Sequence, residues 1–162
     1  MSWSPLLVAH VGAAVVAVVL GAFQLRRTKG GLRHRRLGYV WSALIAFVAI
    51  SSFWIREIVP GRLSPIHALS VLTLVTLSLG HWAGATQRPR LHRGNMVGTY
   101  IGLCGAGLGA ILPPQRLIPT LAREDLVAFT SWTAAFVAAG VALALSVGPR
   151  PPRKQRARDI PA

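Results

Sequence analysis

Five histidines carry most of the chemistry this chain offers, and four of them fall into a doubled pattern. His10 is followed by an apolar run and then by His34-Arg35, and His67 by a second apolar run and then by His92-Arg93. The two histidines are 24 residues apart in the first copy and 25 in the second. That interval holds one helix long enough to cross a bilayer, a short basic turn and the start of a helix running back. Imidazole titrates near neutral pH and is the commonest metal ligand, so repeated imidazoles at matching depths point to redox or metal chemistry. His81 lies 14 residues after His67, and Gln24 lies 14 after His10. Fourteen residues is close to four helical turns, so each pair shares a face, with about 21 Å between its members along the axis. The copies therefore align His10 with His67, Gln24 with His81, and His34-Arg35 with His92-Arg93.

Two helices running the same way with His10 and His67 at equal depth supply two axial ligands to one haem b. Helices starting from the other face place His34 and His92 around a second haem, with His81 an alternative to either. Arg35 and Arg93 stand beside them as partners for haem propionates, through forked hydrogen bonds. Two stacked centres make an electron path across the bilayer, with a quinone or another redox protein as the partner. Each residue also has a plainer reading. His34 and His92 fall in basic loops where histidine is ordinary, His81 sits beside the interfacial Trp82, and Arg35 and Arg93 serve as topology signals. His10 and His67 lie deeper, where a buried polar group must find a partner.

The elements that must position these residues are helices. The chain has 162 residues, 52% apolar and 14% charged, a balance that points to the membrane class. Five stretches lack Lys, Arg, Asp and Glu and are long enough to span about 30 Å of hydrocarbon: Leu6–Leu25, Leu37–Ile55, Ile66–Gln87, Asn95–Leu112 and Leu126–Val147. Their continuous apolar character, rich in Ala, Leu and Gly, excludes the alternation of barrel strands. The predicted fold is an all-α membrane protein with five transmembrane helices at about 6–25, 37–58, 66–87, 95–112 and 126–147. Four form a duplicated two-hairpin core, and the fifth, without a histidine, packs at its side. Residues 1–147 form the single bundle and 148–162 a basic, disordered tail.

The net charge of +14 is asymmetric. Fourteen cations lie in the first loop (Arg26 to Arg36), the third loop (Arg88, Arg90, Arg93) and the tail from Arg150, all on one side if the runs cross alternately. The other side receives Arg56, Arg62, Arg116 and Arg123, offset by Glu57, Glu124 and Asp125. The positive-inside rule then puts the N-terminus outside and the C-terminus in the cytoplasm of a cell inner (plasma) membrane. Anionic lipid headgroups account for the basic patches, so no nucleic-acid partner is needed. Met1–Pro5 lacks a positive n-region, and the first run is too long for a signal peptide, so it reads as a retained helix.

Local signals refine the helices. Pro5 and Ser64-Pro65 suit helix starts, and Pro60-Gly61 and Pro113-Pro114 suit stops. Ala14, Ala17, Gly21 and Gln24 share the His10 face, which should point into the bundle, with Val15, Val16, Val18 and Val19 largely elsewhere. Tyr39, Trp41 and Trp54 read as interfacial aromatics. Gly80 and Gly84 read as a small-xxx-small helix contact, and Gly98, Gly102, Gly105 and Gly109 as a smooth stripe open to a helix or a flat ligand. Met96 and Cys104 have no evident ligand partner. No Cys-x-x-Cys, His-Glu-x-x-His, nucleotide-loop or haem-attachment motif is present, and all four carboxylates lie at interfaces or in the tail, so no catalytic residue is assigned.

With Gln24 before the first His-Arg and Met96 and Tyr100 after the second, the chain resembles a family of bacterial membrane proteins. That family is the domain-of-unknown-function family numbered twenty-three-zero-six, matched from about His10 to Tyr100, and it implies no activity. The layout of four histidines on four helices is also similar to the ascorbate-reducible transmembrane cytochromes b, whose alternate helices pair histidines on two haems. That likeness implies haem ligands at His10, His67, His34 and His92. The competing function is a non-catalytic membrane subunit or assembly factor whose histidines hold copper or zinc, or only hydrogen bonds. A transporter ranks third, since no buried carboxylate or broken helix supports one.

Overall fold

A computed structural model of the chain describes residues 4–27, 29–55, 65–112, 123 and 126–146. Among the described residues the bundle is built from α1 (Pro5–Arg26), α2 (Leu32–Ser51), α3 (Pro65–Ala85), α4 (Pro89–Ile111) and α5 (Leu126–Ser146). Among the described residues there is no strand. The expectations for Pro60-Gly61, Ser64, Pro113-Pro114, the tail and all four carboxylates fall outside the described residues.

Local chemistry sets the ends. Ser4 caps α1, its hydroxyl accepting from the Leu7 N–H at 3.2 Å with Pro5 at the first position. Gly30, at φ +91, turns the chain toward α2. That helix begins at Leu32 and not Leu37, because its first turn tolerates arginines that extend into water. It also ends at Ser51, short of the expected Ile58. The Ser51 hydroxyl donates to the Val48 carbonyl at 3.2 Å and that of Ser52 to Ala49 at 2.7 Å. Such back-bonding competes with the helix ladder, and the backbone tightens into bonds from Phe53 to Ile50, Trp54 to Ser51 and Ile55 to Ser52.

The α3–α4 connection is tighter still, and it brings α4 forward from the expected Asn95 to Pro89. Gln87 takes a left-handed φ of 55, and the Arg88 N–H reaches back to the Ala83 carbonyl at 2.8 Å. This is a Schellman closure with glutamine where glycine is usual.

The helices form a ring in which α1 packs on α2, α2 on α3, α3 on α4 and α4 on α1, with α5 against the outer side of α1. Neighbours in the ring are antiparallel, as the side-chain bonds between them require. Gln24 near the end of α1 meets His34 at the start of α2 at 2.9 Å. Thr76 of α3 meets Thr99 of α4 at 2.9 Å. Helix α5 runs parallel to α1: Phe136 lies at Gly12, and Gly140 lies at Val16 and Val19. Glycine is required at position 12 because a Cβ would enter the Phe136 ring. The diagonals of the ring are α1 with α3 and α2 with α4. Two ends result: a basic end, with the α1–α2 and α3–α4 turns, and a serine end, where α2 unwinds.

The core is Ala17 and Leu20 of α1, Leu37, Trp41 and Ile45 of α2, Leu77 of α3 and Leu103 of α4. Trp41 corrects an expectation. Read as interfacial, it is 5% exposed and donates its indole N–H to the Ala17 carbonyl at 2.9 Å. Its position beside the bare backbone of Gly21 makes that burial possible. Trp41→Phe, which removes the donor and leaves a smaller ring in the core, is expected to lower stability by about 1–3 kcal/mol, measured by denaturant titration in detergent.

Large apolar side chains, including Val40, Phe47, Leu72, Val75, Leu79, Ile101 and Leu108, remain exposed around the ring. That belt suits contact with lipid. Two helices, Pro5–Arg26 and His67–Ala85, are long and apolar enough to cross a membrane. Helices α2 and α4 have comparable length, 20 and 23 residues, but carry arginines in their first turns that reduce their mean hydropathy.

Candidate functional site

The histidines sort into two groups, one at each end of the bundle. At the serine end, His10 of α1 shares a 2.7 Å hydrogen bond with the Ser51 hydroxyl through its Nδ1. His67, 5% exposed in the first turn of α3, has its ring 5.5 Å from that of Phe53. Next to it, the Ser52 and Ser70 hydroxyls meet at 2.7 Å. The turn after α2 thus gathers α1 and α3, because Ser51, Ser52 and Phe53 are presented in succession where the helix unwinds. Each diagonal histidine takes a partner on that turn. A hydroxyl can donate or accept, so Ser51 sets the ring orientation of His10, and the Nδ1–H tautomer is the one that leaves Nε2 for a ligand.

At the basic end the rings of His34 and His92 are 6.3 Å apart between centres and steeply inclined, at 79°. They come from α2 and α4, a diagonal of the ring. His92 is fixed by a bond from Nδ1 to the Gly80 carbonyl at 2.8 Å. A carbonyl accepts only, so Nδ1 carries the proton and Nε2 holds the free lone pair, the form in which neutral imidazole ligates a metal. The backbone of His34 is tied to α1 by Gln24, and its Nδ1 is buried with no hydrogen-bond partner among the described residues. His81 takes a separate position. Its Nε2 meets the Ser42 hydroxyl at 2.7 Å, and its ring stacks on Tyr39 at 5.6 Å and 10°. Arg35 and Arg93 are both exposed at this end, each next in sequence to a paired histidine.

Glycines shape the basic site in a way the sequence did not announce. Gly80 and Gly84 do not serve a backbone-to-backbone helix contact. A Cβ at Gly84 would lie 3.0 Å from His92 Nδ1, and one at Gly80 would lie 2.5 Å from Met96 Cε. These glycines are seats for the His92 and Met96 side chains, one helical turn apart on α4. The Gly98, Gly102, Gly105 and Gly109 stripe has the opposite outcome. Among the described residues nothing comes within 4 Å of a Cβ built there. Sequence reasoning also passed over Ser42, Ser51 and Ser52. Their signal was available: hydroxyls in an apolar stretch must bond something.

The arrangement limits the chemistry. Among the described residues no three His, Cys, Asp or Glu side chains gather to hold an ion. A zinc site built from protein alone needs three or four such ligands. A haem needs two, since its porphyrin supplies the rest. Two imidazoles on opposite sides of one metal, with bonds of about 2 Å, hold their ring centres roughly 6 Å apart, close to the observed separation at the basic end. The pair also falls in the ordinary range for edge-to-face ring contact.

Among the described residues, a helical bundle with a lipid-suited belt and one pair of histidines, His34 and His92, meeting across it defines a helical membrane protein. The family model described as predicted membrane protein (DUF2306) matches residues 7–146, and the chain belongs to that family. No curated protein and no solved structure matches it. The likeness to the ascorbate-reducible cytochromes b therefore rests on the histidine layout alone.

Proposed function

We propose that this chain crosses the inner membrane five times and transfers electrons through b-type haem held by histidine pairs. The observation that carries the reading is the His34–His92 pair: two rings 6.3 Å apart from diagonal helices, with His92 fixed by the Gly80 carbonyl. His34 and His92 would hold the haem at the basic end, with Arg35 and Arg93 positioned for its propionates. His10 and His67 would hold a second at the serine end, with Ser51 orienting His10. A b-type haem supplies a one-electron couple whose potential depends on its axial ligands and surroundings. The chain's own part is to keep both imidazoles neutral and oriented, and to bury them among apolar side chains. A quinone or a redox protein would be the partner.

Five crossings are supported by the parallel run of α5 and α1, which puts the start of α1 and the end of α5 at opposite ends of the bundle. The basic end then faces the cytoplasm and the N-terminus lies outside. Residues 1–147 form one bundle and 148–162 a basic tail. The duplicated core rests on the repeated histidine spacing, while the aligned Gln24 and His81 differ in partner: Gln24 bonds to the helix after its own and His81 to the helix before, α2 in both cases.

Protein purified in mild detergent from haem-replete cells is expected to show a Soret band that sharpens and shifts on reduction with dithionite. A colourless preparation would overturn the reading. The second reading is a non-catalytic membrane subunit or assembly factor, favoured by the hydroxyl partners of His10 and His81. It expects no visible band, and metal analysis separates bound copper or zinc from purely structural histidines.

A further inference from the structure

The described residues contain no Asp or Glu, yet they carry a dense set of cations at the basic end. Most of these arginines reach into water. Arg88 and Arg90 are exposed as well, and with Pro89 and Leu91 they form an open cationic surface at the α3–α4 turn. The Arg88 guanidinium is held over the Trp82 ring, 4.6 Å from its centre. That contact orients a flexible side chain before any ligand arrives. From Trp82 an unbroken column of exposed apolar side chains, Leu79, Val75 and Leu72, runs along α3 toward the serine end. Their spacing of three, four and three residues keeps them on one helix face. A cationic surface at the head of an apolar track fits a molecule with an anionic head and a long apolar tail.

We propose that this surface binds one anionic phospholipid, its phosphate between Arg88 and Arg90 and an acyl chain along Trp82, Leu79, Val75 and Leu72. Guanidinium groups suit phosphate because their paired N–H donors match its oxygens. Basic pockets beside membrane helices recognise anionic headgroups by this chemistry. The proposal is independent of the haem reading, since no histidine takes part.

Native mass spectrometry in detergent, with phosphatidylglycerol and phosphatidylcholine added in turn, tests it. The wild-type chain is expected to retain one phosphatidylglycerol and to prefer it over phosphatidylcholine. Arg88→Gln/Arg90→Gln should weaken that adduct roughly thirtyfold, as two lost phosphate contacts imply. Arg33→Gln/Arg36→Gln removes the same charge from the same end and should leave the adduct in place. Equal loss in both double variants would show diffuse attraction and overturn the site. Equal retention of phosphatidylcholine, or displacement of the lipid by millimolar inorganic phosphate, would overturn it too. Arg90→Gln alone, with helix content checked by circular dichroism, provides the same test if the double variant fails to fold.

Discussion

Replacing His92 with alanine is expected to remove the haem of the basic end, while leaving that of the serine end in place. The visible band should lose about half its intensity relative to protein, and His34→Ala should do the same. The reason is geometric. His92 is the histidine fixed at Nδ1 by a backbone carbonyl and turned toward a second imidazole. His10→Ala is expected to remove the other half, since His10 stands at the far end of the bundle on Ser51. Gly84→Ala supplies a finer test, because its methyl carbon would sit 3.0 Å from His92 Nδ1 and displace the ring without removing it. Disturbing a ligand's supporting shell lowers metal affinity about 10- to 100-fold. Haem titration of the purified variants measures both effects. If the histidines only knit helices together, His92→Ala would cost about 1 kcal/mol of stability and change no spectrum.

The second large effect concerns folding. Gly21→Ala is expected to destabilise the bundle by about 1–3 kcal/mol, as overpacking of a filled core does. A Cβ at Gly21 would lie 2.5 Å from Tyr100 Cδ2 and 2.8 Å from Trp41 Nε1. Neither ring can simply retreat: Trp41 is bonded to Ala17, and Tyr100 packs against the core. Tyr100→Ala should recover part of the loss, so the double variant is less destabilised than the sum of the singles. Such non-additivity marks direct contact. Unfolding in mixed detergent, followed by circular dichroism, gives the comparison. Additive losses would place the strain elsewhere.

Both predictions depend on glycines, and glycine is where the sequence was least legible. Gly80 and Gly84 have the spacing of a helix-packing motif, yet they seat the side chains of Met96 and His92. The stripe on α4 has the same kind of spacing and is covered by nothing among the described residues. A missing Cβ records only that there is room for a close approach. Whether a side chain, a backbone or lipid does so depends on how the helices are rotated, and rotation is a property of the whole ring.

The amino-acid order alone determined the helical class, the membrane family and the separation of basic turns from apolar runs. Those properties follow from local composition and from a period that repeats every few residues. It also determined that histidines recur at two depths, because fourteen residues return to the same helix face whatever surrounds them. Only the tertiary structure decided which of them meet. His34 and His92 face each other because α2 and α4 are diagonal in the ring, and His81 goes to Tyr39 and Ser42 on the neighbouring helix. It also decided that Trp41 is buried and that α2 unwinds at its serines, where hydroxyls gather the ends of α1 and α3. Pairings of this kind depend on contacts between residues far apart in the chain, and those distances are fixed only when all the helices pack together.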